Sequence, residues 1–327
     1  HQDACKACGG SGLCASEHKA PFDKDNYPEI AIIGGGIGGI ALAIACLHRG
    51  IPFKVYERDV SFDARSQGYG LTLQQASKAI EGLGIFKLKE GLTSTRHVVH
   101  NIEGKELGEW GIRKWLGSAD KASPKRTNIH IARQALRAEL LEQLGGHEAV
   151  HWGHQLVDLK ESDDGRIDLS FQSEGEVVPQ HIEADLVVGA DGIRSSVRRL
   201  LIGEESTPLR YLGCIVILGI CPLDQLESLE SSLLDSATVF QTANGHERMY
   251  MMPYSSDAIM WQLSFPIEEE KAKELSSQGS EALKEEACRR CQWHDPIPQI
   301  LNATQTAQIS GYPVYDRALL DSKLLGK

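Results

Sequence analysis

The feature that most constrains the fold is a short apolar run that opens into glycines and then into a helical pattern. Residues 29–39 read EIAIIGGGIGG, and residues 40–47 read IALAIACL. A second apolar run, Ile51–Tyr56, is followed by Glu57, eighteen residues beyond Gly39. A carboxylate at this place can accept hydrogen bonds from a ribose diol. The order of strand, glycine turn, helix, strand and acid predicts a dinucleotide-binding βαβ unit.

Three glycines of this unit have different physical tasks. Gly34 allows the chain to turn at the end of the strand, and Gly36 lacks a Cβ that would keep the backbone away from a pyrophosphate. Gly39 permits close packing of the helix on the sheet. The helix N-terminus offers unpaired N–H groups and a partial positive charge to the phosphates. The glycine loop is therefore the first candidate binding site.

Composition narrows the classes of partner. The chain has 327 residues, which suits one large α/β domain with a second part inserted or appended. With 34 Lys and Arg against 45 Asp and Glu, its formal net charge of −11 argues against a nucleic-acid surface and favours a small-molecule partner. Five glycines interrupt the apolar stretch at residues 30–47, so no membrane span is predicted. We expect a soluble protein of the cytoplasm or of an organelle.

The eight cysteines are predicted to be reduced thiols rather than a disulfide framework. Residues 5–12, CKACGGSG, resemble one arm of the zinc-binding region of DnaJ-type chaperones. Cys5 and Cys8 would supply two of the four ligands of a structural zinc, and Cys14 could supply a third. An unstructured N-terminal segment accounts for the same residues, and we predict no metal site.

A hairpin of two strands, Gln155–Glu161 and Gly165–Gln172, is predicted across residues 163–165. A second motif follows it in residues 184–198, ADLVVGADGIRSSVR. An apolar strand, Leu186–Val188, leads to a turn that contains Asp191 and Gly192, and a helix is predicted to begin near Ser195. Together with the glycine loop, Glu57 and an arginine near the start of a predicted helix, Arg133, this pattern resembles the FAD-binding fold of the group A flavoprotein monooxygenases. That family includes para-hydroxybenzoate hydroxylase, salicylate hydroxylase and zeaxanthin epoxidase.

The resemblance implies an α/β fold with a Rossmann-like FAD-binding domain of the glutathione reductase type and a β-sheet-rich substrate domain. Residues 1–27 would form a flexible N-terminal segment, and residues 28–205 the FAD-binding domain, of which 70–128 would partly contribute to the substrate side. Residues 206–316 would form the substrate domain. Residues 317–327 would begin a strand that returns to the FAD-binding domain.

In that family the glycine loop and the acid that matches Glu57 hold the ADP half of FAD. The arginine that matches Arg133 lies near the flavin and the pyrophosphate, although a solvated surface arginine is the alternative for this position. The turn that matches Asp191 and Gly192 lies where FAD and the nicotinamide cofactor meet. Arg58 would contact the adenine or face water.

The middle of the chain resembles the substrate side of the family. Strand-like runs are predicted at Leu209–Ile220, Thr238–Gln241 and Arg248–Phe265. Candidates to line a substrate pocket are three large side chains that ordinary sheet packing would also explain, Tyr250, Met252 and Trp261. No catalytic acid or base is predicted, because in this family the chemistry belongs to the cofactors: NADPH or NADH reduces FAD, and O₂ is the oxidant.

The leading prediction is thus an FAD-dependent, NAD(P)H-using monooxygenase that hydroxylates or epoxidises a small aromatic or unsaturated compound. The family's G-D-A-A-H segment, whose Asp binds the ribityl chain, would follow Leu324-Leu-Gly326, so we expect the chain to be incomplete and to bind FAD weakly. The alternatives are a flavin-dependent reductase or dehydrogenase of the same fold and an inactive FAD-binding-like protein. A plain NAD dehydrogenase is disfavoured, because the Asp191 turn has no role in one.

Overall fold

A computed structural model describes residues 12–14, 16, 20–64, 69–111, 128–173, 175–176, 178–226 and 229–324. The strands of these residues, in chain order, are β1 Ile30–Ile33, β2 Phe53–Tyr56, β3 Gly70–Leu73, β4 Leu92–Ser94, β5 Arg96–His100, β6 Glu106–Trp110, β7 Asn128–Ala132, β8 Val150–His151, β9 Gln155–Glu161, β10 Ile167–Gln172, β11 Gln180–Ala184, β12 Leu186–Gly189, β13 Leu209–Pro222, β14 Thr238–Ala243, β15 Arg248–Ser255, β16 Ala258–Pro266 and β17 Ile309–Arg317. The helices are α1 Ile37–Leu47, α2 Ala76–Glu81, α3 Arg133–Leu144, α4 Ser196–Ile202, α5 Glu269–Ser277, α6 Ser280–Arg290 and α7 Ile297–Ala303.

The predicted βαβ unit forms the centre of a four-stranded parallel sheet with the order β12-β1-β2-β8. In β1 all four residues are buried, as expected of a central strand covered on both faces. Ile32 points to one face, where α1 and α3 pack through residues such as Ile40 and Leu140. The neighbouring Ile33 contributes to the core on the opposite face. The sheet therefore brings the second motif, on β12, directly beside the first.

A three-stranded antiparallel sheet, β11-β10-β9, covers that opposite face of the parallel sheet. Its hairpin confirms the strands predicted on either side of residues 163–165, although β10 begins at Ile167 rather than at Gly165. The buried Phe171 stacks on Tyr56 of β2 with a ring separation of 4.5 Å. Burial raises the pKa of Tyr56 to about 12, so this phenol is neutral in the core.

The largest sheet has seven strands in the order β17-β13-β16-β15-β14-β5-β6. Its strands are antiparallel to their neighbours except that β5 runs parallel to β14. Helices α5, α6 and α7 cover one face, where the fully buried Trp261 donates a hydrogen bond from Nε1 to Oγ1 of Thr304 at 2.9 Å. Residues 96–110 thus complete a sheet whose other strands all come from beyond residue 208.

A small sheet, β3-β7-β4, packs against the other face of the seven-stranded sheet. The Gly70 amide donates a hydrogen bond to the Met260 sulfur at 3.0 Å, and a Cβ on Gly70 would lie 2.6 Å from Cε of Met252. A Cβ at this point would therefore require the Met252 side chain to move. The small sheet connects the large sheet to the parallel sheet, because β7 continues without a linker into α3.

Candidate cofactor-binding site

The glycine loop lies between the carboxyl end of β1 and the start of α1. Gly34 has a φ of +113°, and a Cβ there would lie 2.5 Å from the carbonyl oxygen of Ala190, in the turn after β12. A Cβ on Gly39 would overlap the carbonyl oxygen of Gly34. Both glycines are therefore required by contacts within the protein, which agrees with the tasks predicted for them.

Gly36 differs from these two glycines, because no contact among the described residues requires it. Its φ of −77° and ψ of −177° are open to any residue, and a Cβ there would meet no atom within 4 Å. Gly36 is the N-cap residue of α1, and among the described residues no side chain caps this helix and no acidic residue lies in its first turn. Open space and unneutralised N–H groups at a helix N-terminus fit a phosphate group.

Glu57 lies at the carboxyl end of β2, directly beside this loop. Its Oε2 accepts a hydrogen bond from the Gly35 amide at 2.8 Å, and its Oε1 accepts one from the Asp59 amide at 3.1 Å. Each carboxylate oxygen can accept a further hydrogen bond, so the orientation that these amides impose leaves capacity for hydroxyl donors. The adjacent Arg58 is exposed, and its side chain makes none of the hydrogen bonds or ion pairs of the described residues.

Asp191 and Gly192 form the turn between β12 and α4, as predicted. The Asp191 Oδ2 accepts hydrogen bonds from the amides of Ser196 at 2.6 Å and Val197 at 3.2 Å, so this carboxylate helps to cap α4. Its Oδ1 is buried and has no partner among the described residues. Gly192 adopts a φ of +77°. The structure brings this turn against the glycine loop through the contact of Ala190 with Gly34.

Arg133 is the first residue of α3 and is half-buried. Its guanidinium lies 5.6 Å from the ring centre of Tyr69, and Nη1 is 3.4 Å from the Tyr69 hydroxyl. Its amide donates to the Tyr69 carbonyl oxygen at 3.1 Å. Arg133 therefore lies at the junction of β3, β7 and α3, and the choice between a cofactor contact and a solvated surface position stays a prediction.

One residue of the site, Arg137, was not predicted from the sequence. It is 7% exposed, and its Nε donates a hydrogen bond to the Gly35 carbonyl oxygen at 2.9 Å. Its guanidinium lies between the rings of Phe62 and Trp152, at 5.0 and 5.3 Å from their centres. Arg137 follows Arg133 by four residues, so both lie on the same face of α3. That spacing was the sequence signal that could have identified it.

Comparison with known proteins decides the family. A model of the FAD-binding domain family matches residues 27–310, which is most of the chain. The chain belongs to this FAD-binding domain family. The loop geometry fits that assignment, since the open space at Gly36 and the uncapped α1 suit the pyrophosphate of a dinucleotide.

Relatives of the FAD-binding domain family cover most of this chain. The aurachin C monooxygenase/isomerase of Stigmatella aurantiaca is 27% identical over 301 residues, which are 91% of this chain and 71% of that protein. The chloroplastic zeaxanthin epoxidase of Oryza sativa subsp. japonica is 26% identical over 300 residues, or 89% of this chain and 42% of that protein. The chain thus spans less than half the length of the epoxidase.

A solved structure shows the same fold. The HpxO protein of Klebsiella pneumoniae, crystallised with FAD and uric acid, superposes with a TM-score of 0.71 at 18% identity, covering 88% of this chain and 68% of that chain. The predicted fold class, the group A FAD-dependent monooxygenase family and FAD as its cofactor are thereby confirmed. The predicted oxidoreductase class is confirmed at the level of the family.

The three candidates for a substrate pocket have different environments. Tyr250 lines a cavity of about 270 Å³ between the small sheet and the seven-stranded sheet. Met252, which is 1% exposed, packs on the same face of the large sheet against Met260. Trp261 lies in the core on the opposite face, beneath the helices, because its strand neighbour Met260 takes the pocket-facing direction. Of the three, only Tyr250 lines the cavity.

Other predictions concern the ends of the chain. Cys5, Cys8, Gly326 and Lys327 lie outside the described residues.

Within the described residues, no group of three or more His, Cys, Asp or Glu side chains is placed to hold a metal ion. Every helix of that part of the chain falls short of the length and apolar character that crossing a membrane requires.

Proposed function

We propose that this chain binds FAD in the glycine loop and acts as an NAD(P)H-using monooxygenase on a small aromatic or unsaturated compound. The observation that carries the proposal is Gly36, a glycine that neither its backbone conformation nor packing against the described part of the chain requires. The position becomes intelligible when a pyrophosphate occupies the space beside it. The family membership and the monooxygenases among the relatives support the same activity.

Different residues of the site would bind different parts of FAD. The N-terminal amides of α1 would bind the pyrophosphate, and Glu57, already oriented by two backbone amides, would accept hydrogen bonds from the ribose. Arg133, a permanent cation fixed beside Tyr69, would face the flavin end of the cofactor. The turn at Asp191 and Gly192 would contact the cofactor from the β12 side, and the exposed Arg58 is the candidate for the adenine.

The glycine loop, Glu57 and Arg133 would hold FAD, which would supply redox chemistry with NADPH or NADH as the reductant and O₂ as the oxidant. The chain's own contribution is positional. Arg137 fixes the carbonyl of Gly35, so it holds the loop in the shape that receives the pyrophosphate. The small sheet holds Tyr69 and Arg133 next to the face of the large sheet on which the Tyr250 cavity opens.

The test is a titration of the full chain with FAD, followed by quenching of flavin fluorescence. We expect saturable binding that Gly36→Val weakens at least about tenfold, because its side chain would occupy the pyrophosphate space. Far-UV circular dichroism of the variant should be unchanged. Oxygen uptake with NADPH or NADH then tests the monooxygenase activity. FAD binding that is equally tight in wild type and Gly36→Val would contradict the proposed site, and hydride transfer without oxygen uptake would favour a flavin reductase.

A further inference from the structure

Arg317, the last residue of β17, contacts the turn between β12 and α4. Its backbone place is set by the seven-stranded sheet, because it pairs with Leu209 at the start of β13. Its Nε donates a hydrogen bond to the carbonyl oxygen of Ile193, 124 positions earlier in the chain, at 2.6 Å. Ile193 directly follows Asp191 and Gly192, the turn that would contact the cofactor. The guanidinium thus connects the large sheet to that turn.

The same guanidinium also contacts the chain beyond α4. Nη1 of Arg317 donates a hydrogen bond to the carbonyl oxygen of Thr207, a buried residue between α4 and β13. Ile193 lies before α4 and Thr207 lies after it, so one side chain binds the segments that enter and leave this helix. Hydrogen bonds from a charged donor are stronger than those from a neutral one. Loss of Arg317 would therefore release both segments.

Arg198 contacts the same turn but has a different effect. Its Nη1 donates to the Ile193 carbonyl oxygen at 3.2 Å, and its Nη2 donates to the Gly192 carbonyl oxygen at 2.9 Å. Arg198 belongs to α4, which begins directly after the turn, so these bonds stabilise the shape of the turn. They do not fix its position relative to the seven-stranded sheet. Arg317 belongs to that sheet and supplies this second constraint.

Strand β17 also approaches the other end of the proposed cofactor site. Tyr312 of this strand interacts electrostatically with Tyr69 and Arg133, and burial raises the pKa of its phenol. Tyr312 and Arg317 are five residues apart, which corresponds to about 17 Å of extended chain. One strand of the large sheet is therefore close both to Arg133 and to the turn at Asp191.

We propose that Arg317 is a positioning residue of the cofactor site, which holds the turn at Asp191 and Gly192 in place relative to the seven-stranded sheet. It acts through the Ile193 carbonyl rather than through a contact with the cofactor. The inference rests on the proposed function, because it assigns a role in FAD binding. A turn that is already held in place loses less conformational freedom when FAD binds, so the affinity is higher.

The first measurement is the FAD dissociation constant of the full chain, from quenching of flavin fluorescence. We expect Arg317→Gln to raise it at least about tenfold, since two charged hydrogen bonds are lost. Arg317→Lys should recover part of this loss, because an ammonium keeps the charge but lacks the planar fork that reaches both carbonyls. Arg210→Gln is the matched control. It removes an exposed arginine of β13 that pairs with Asp316, and it should change the dissociation constant by less than about twofold.

The second measurement is hydrogen exchange of the FAD-free chain, which reports on the turn directly. The amides of Ser196 and Val197 donate to Oδ2 of Asp191 and are protected while the turn is closed. We expect them to exchange at least about tenfold faster in Arg317→Gln, because the turn opens more often. Amides of β10, Ile167–Gln172, should keep the wild-type rate. A general loss of stability would instead accelerate both segments.

The outcomes separate this inference from the proposed function. Wild-type exchange at Ser196 and Val197 in Arg317→Gln, equal acceleration of β10, or an FAD affinity equal to that of Arg210→Gln would each overturn the positioning role. If circular dichroism shows that Arg317→Gln does not fold, Arg317→Lys takes its place, and wild-type results for exchange and FAD affinity would overturn the role. Absence of FAD binding by the wild-type chain would instead contradict the proposed function, while exchange would still test the contact of Arg317 with the turn.

Discussion

Arg137 donates a hydrogen bond from Nε to the backbone oxygen of Gly35, a residue 102 positions earlier in the chain. The carbonyl of a tight loop after a central strand must find a partner when it is buried, and here a helix on the far side of the loop supplies one. The guanidinium itself packs on the rings of Phe62 and Trp152. Core residues therefore fix the conformation of the loop, in addition to the loop's own residues.

Replacement of Arg137 by Gln should destabilise the protein by about 1–3 kcal/mol, because it leaves the Gly35 carbonyl buried without its charged donor. Arg137→Lys should recover only part of this loss, since an ammonium cannot lie flat between two rings. Urea unfolding of both variants measures the free energy change. Arg49→Gln alters an exposed arginine on the neighbouring α1 end and should be nearly neutral. If Arg137→Gln were as stable as Arg49→Gln, the bracing role would be wrong.

Two glycines of the glycine-rich motif should respond differently to replacement by alanine. Gly39→Ala should unfold the protein or cost several kcal/mol, because its Cβ would overlap the Gly34 carbonyl oxygen. Gly36→Ala should leave the free energy of unfolding without FAD almost unchanged, since its Cβ meets no atom within 4 Å. Thermal denaturation of the FAD-free protein distinguishes the two. A marked loss of stability in Gly36→Ala would mean that the protein itself requires this glycine.

The buried His130 should make stability depend on pH. Burial lowers its pKa to about 4, against 6.5 for an ordinary histidine, so between these values the unfolded chain binds more protons than the folded chain. The free energy of unfolding should therefore be highest above pH 6.5 and should fall by about 3 kcal/mol as the pH drops to 4. Urea unfolding across this range measures the free energy of unfolding at each pH. This free energy should depend less steeply on pH in His130→Asn, whose amide can still contact Thr72. Identical slopes in wild type and variant would contradict this expectation.

Gly219 and Gly108 offer a matched pair in the seven-stranded sheet. Gly219 lies in the interior strand β13, and a Cβ there would overlap the indole of the fully buried Trp261. Gly219→Ala should therefore cost at least about 1–3 kcal/mol. Gly108 lies in the edge strand β6, where a Cβ meets no atom within 4 Å, and Gly108→Ala should be neutral or slightly stabilising. Chemical denaturation of both variants is the measurement, and equal stabilities would show that the Trp261 packing can relax.

The sequence predicted those features that depend on local pattern. Strand β1, the turn at Gly34 and the acid at Glu57 follow one another within thirty residues, so spacing and residue type were sufficient to place them. The hairpin of β9 and β10 was predicted for the same reason, because alternation and a turn are local signals.

Long-range contacts were not accessible in this way. Arg137 was missed because its partner Gly35 is distant in sequence: the spacing from Arg133 places both arginines on one helix face, but it does not show that Arg137 is buried. Trp261 was predicted as a pocket candidate, but strand alternation alone does not say which face meets the helices α5, α6 and α7. The cavity itself is lined by residues of six strands from distant parts of the chain.

The order of strands in the large sheet determines whether the chain can be cut into fragments that fold independently. Strands β5 and β6, residues 96–110, pair with β14 of the distal half, whereas the segments on either side of them build the small and the parallel sheets. No single cut therefore yields two self-contained pieces: a fragment that begins at residue 128 would expose the β14 edge. We expect thermal or urea unfolding to be a single cooperative transition. Two fragments produced by a cut should fold only when they are co-expressed.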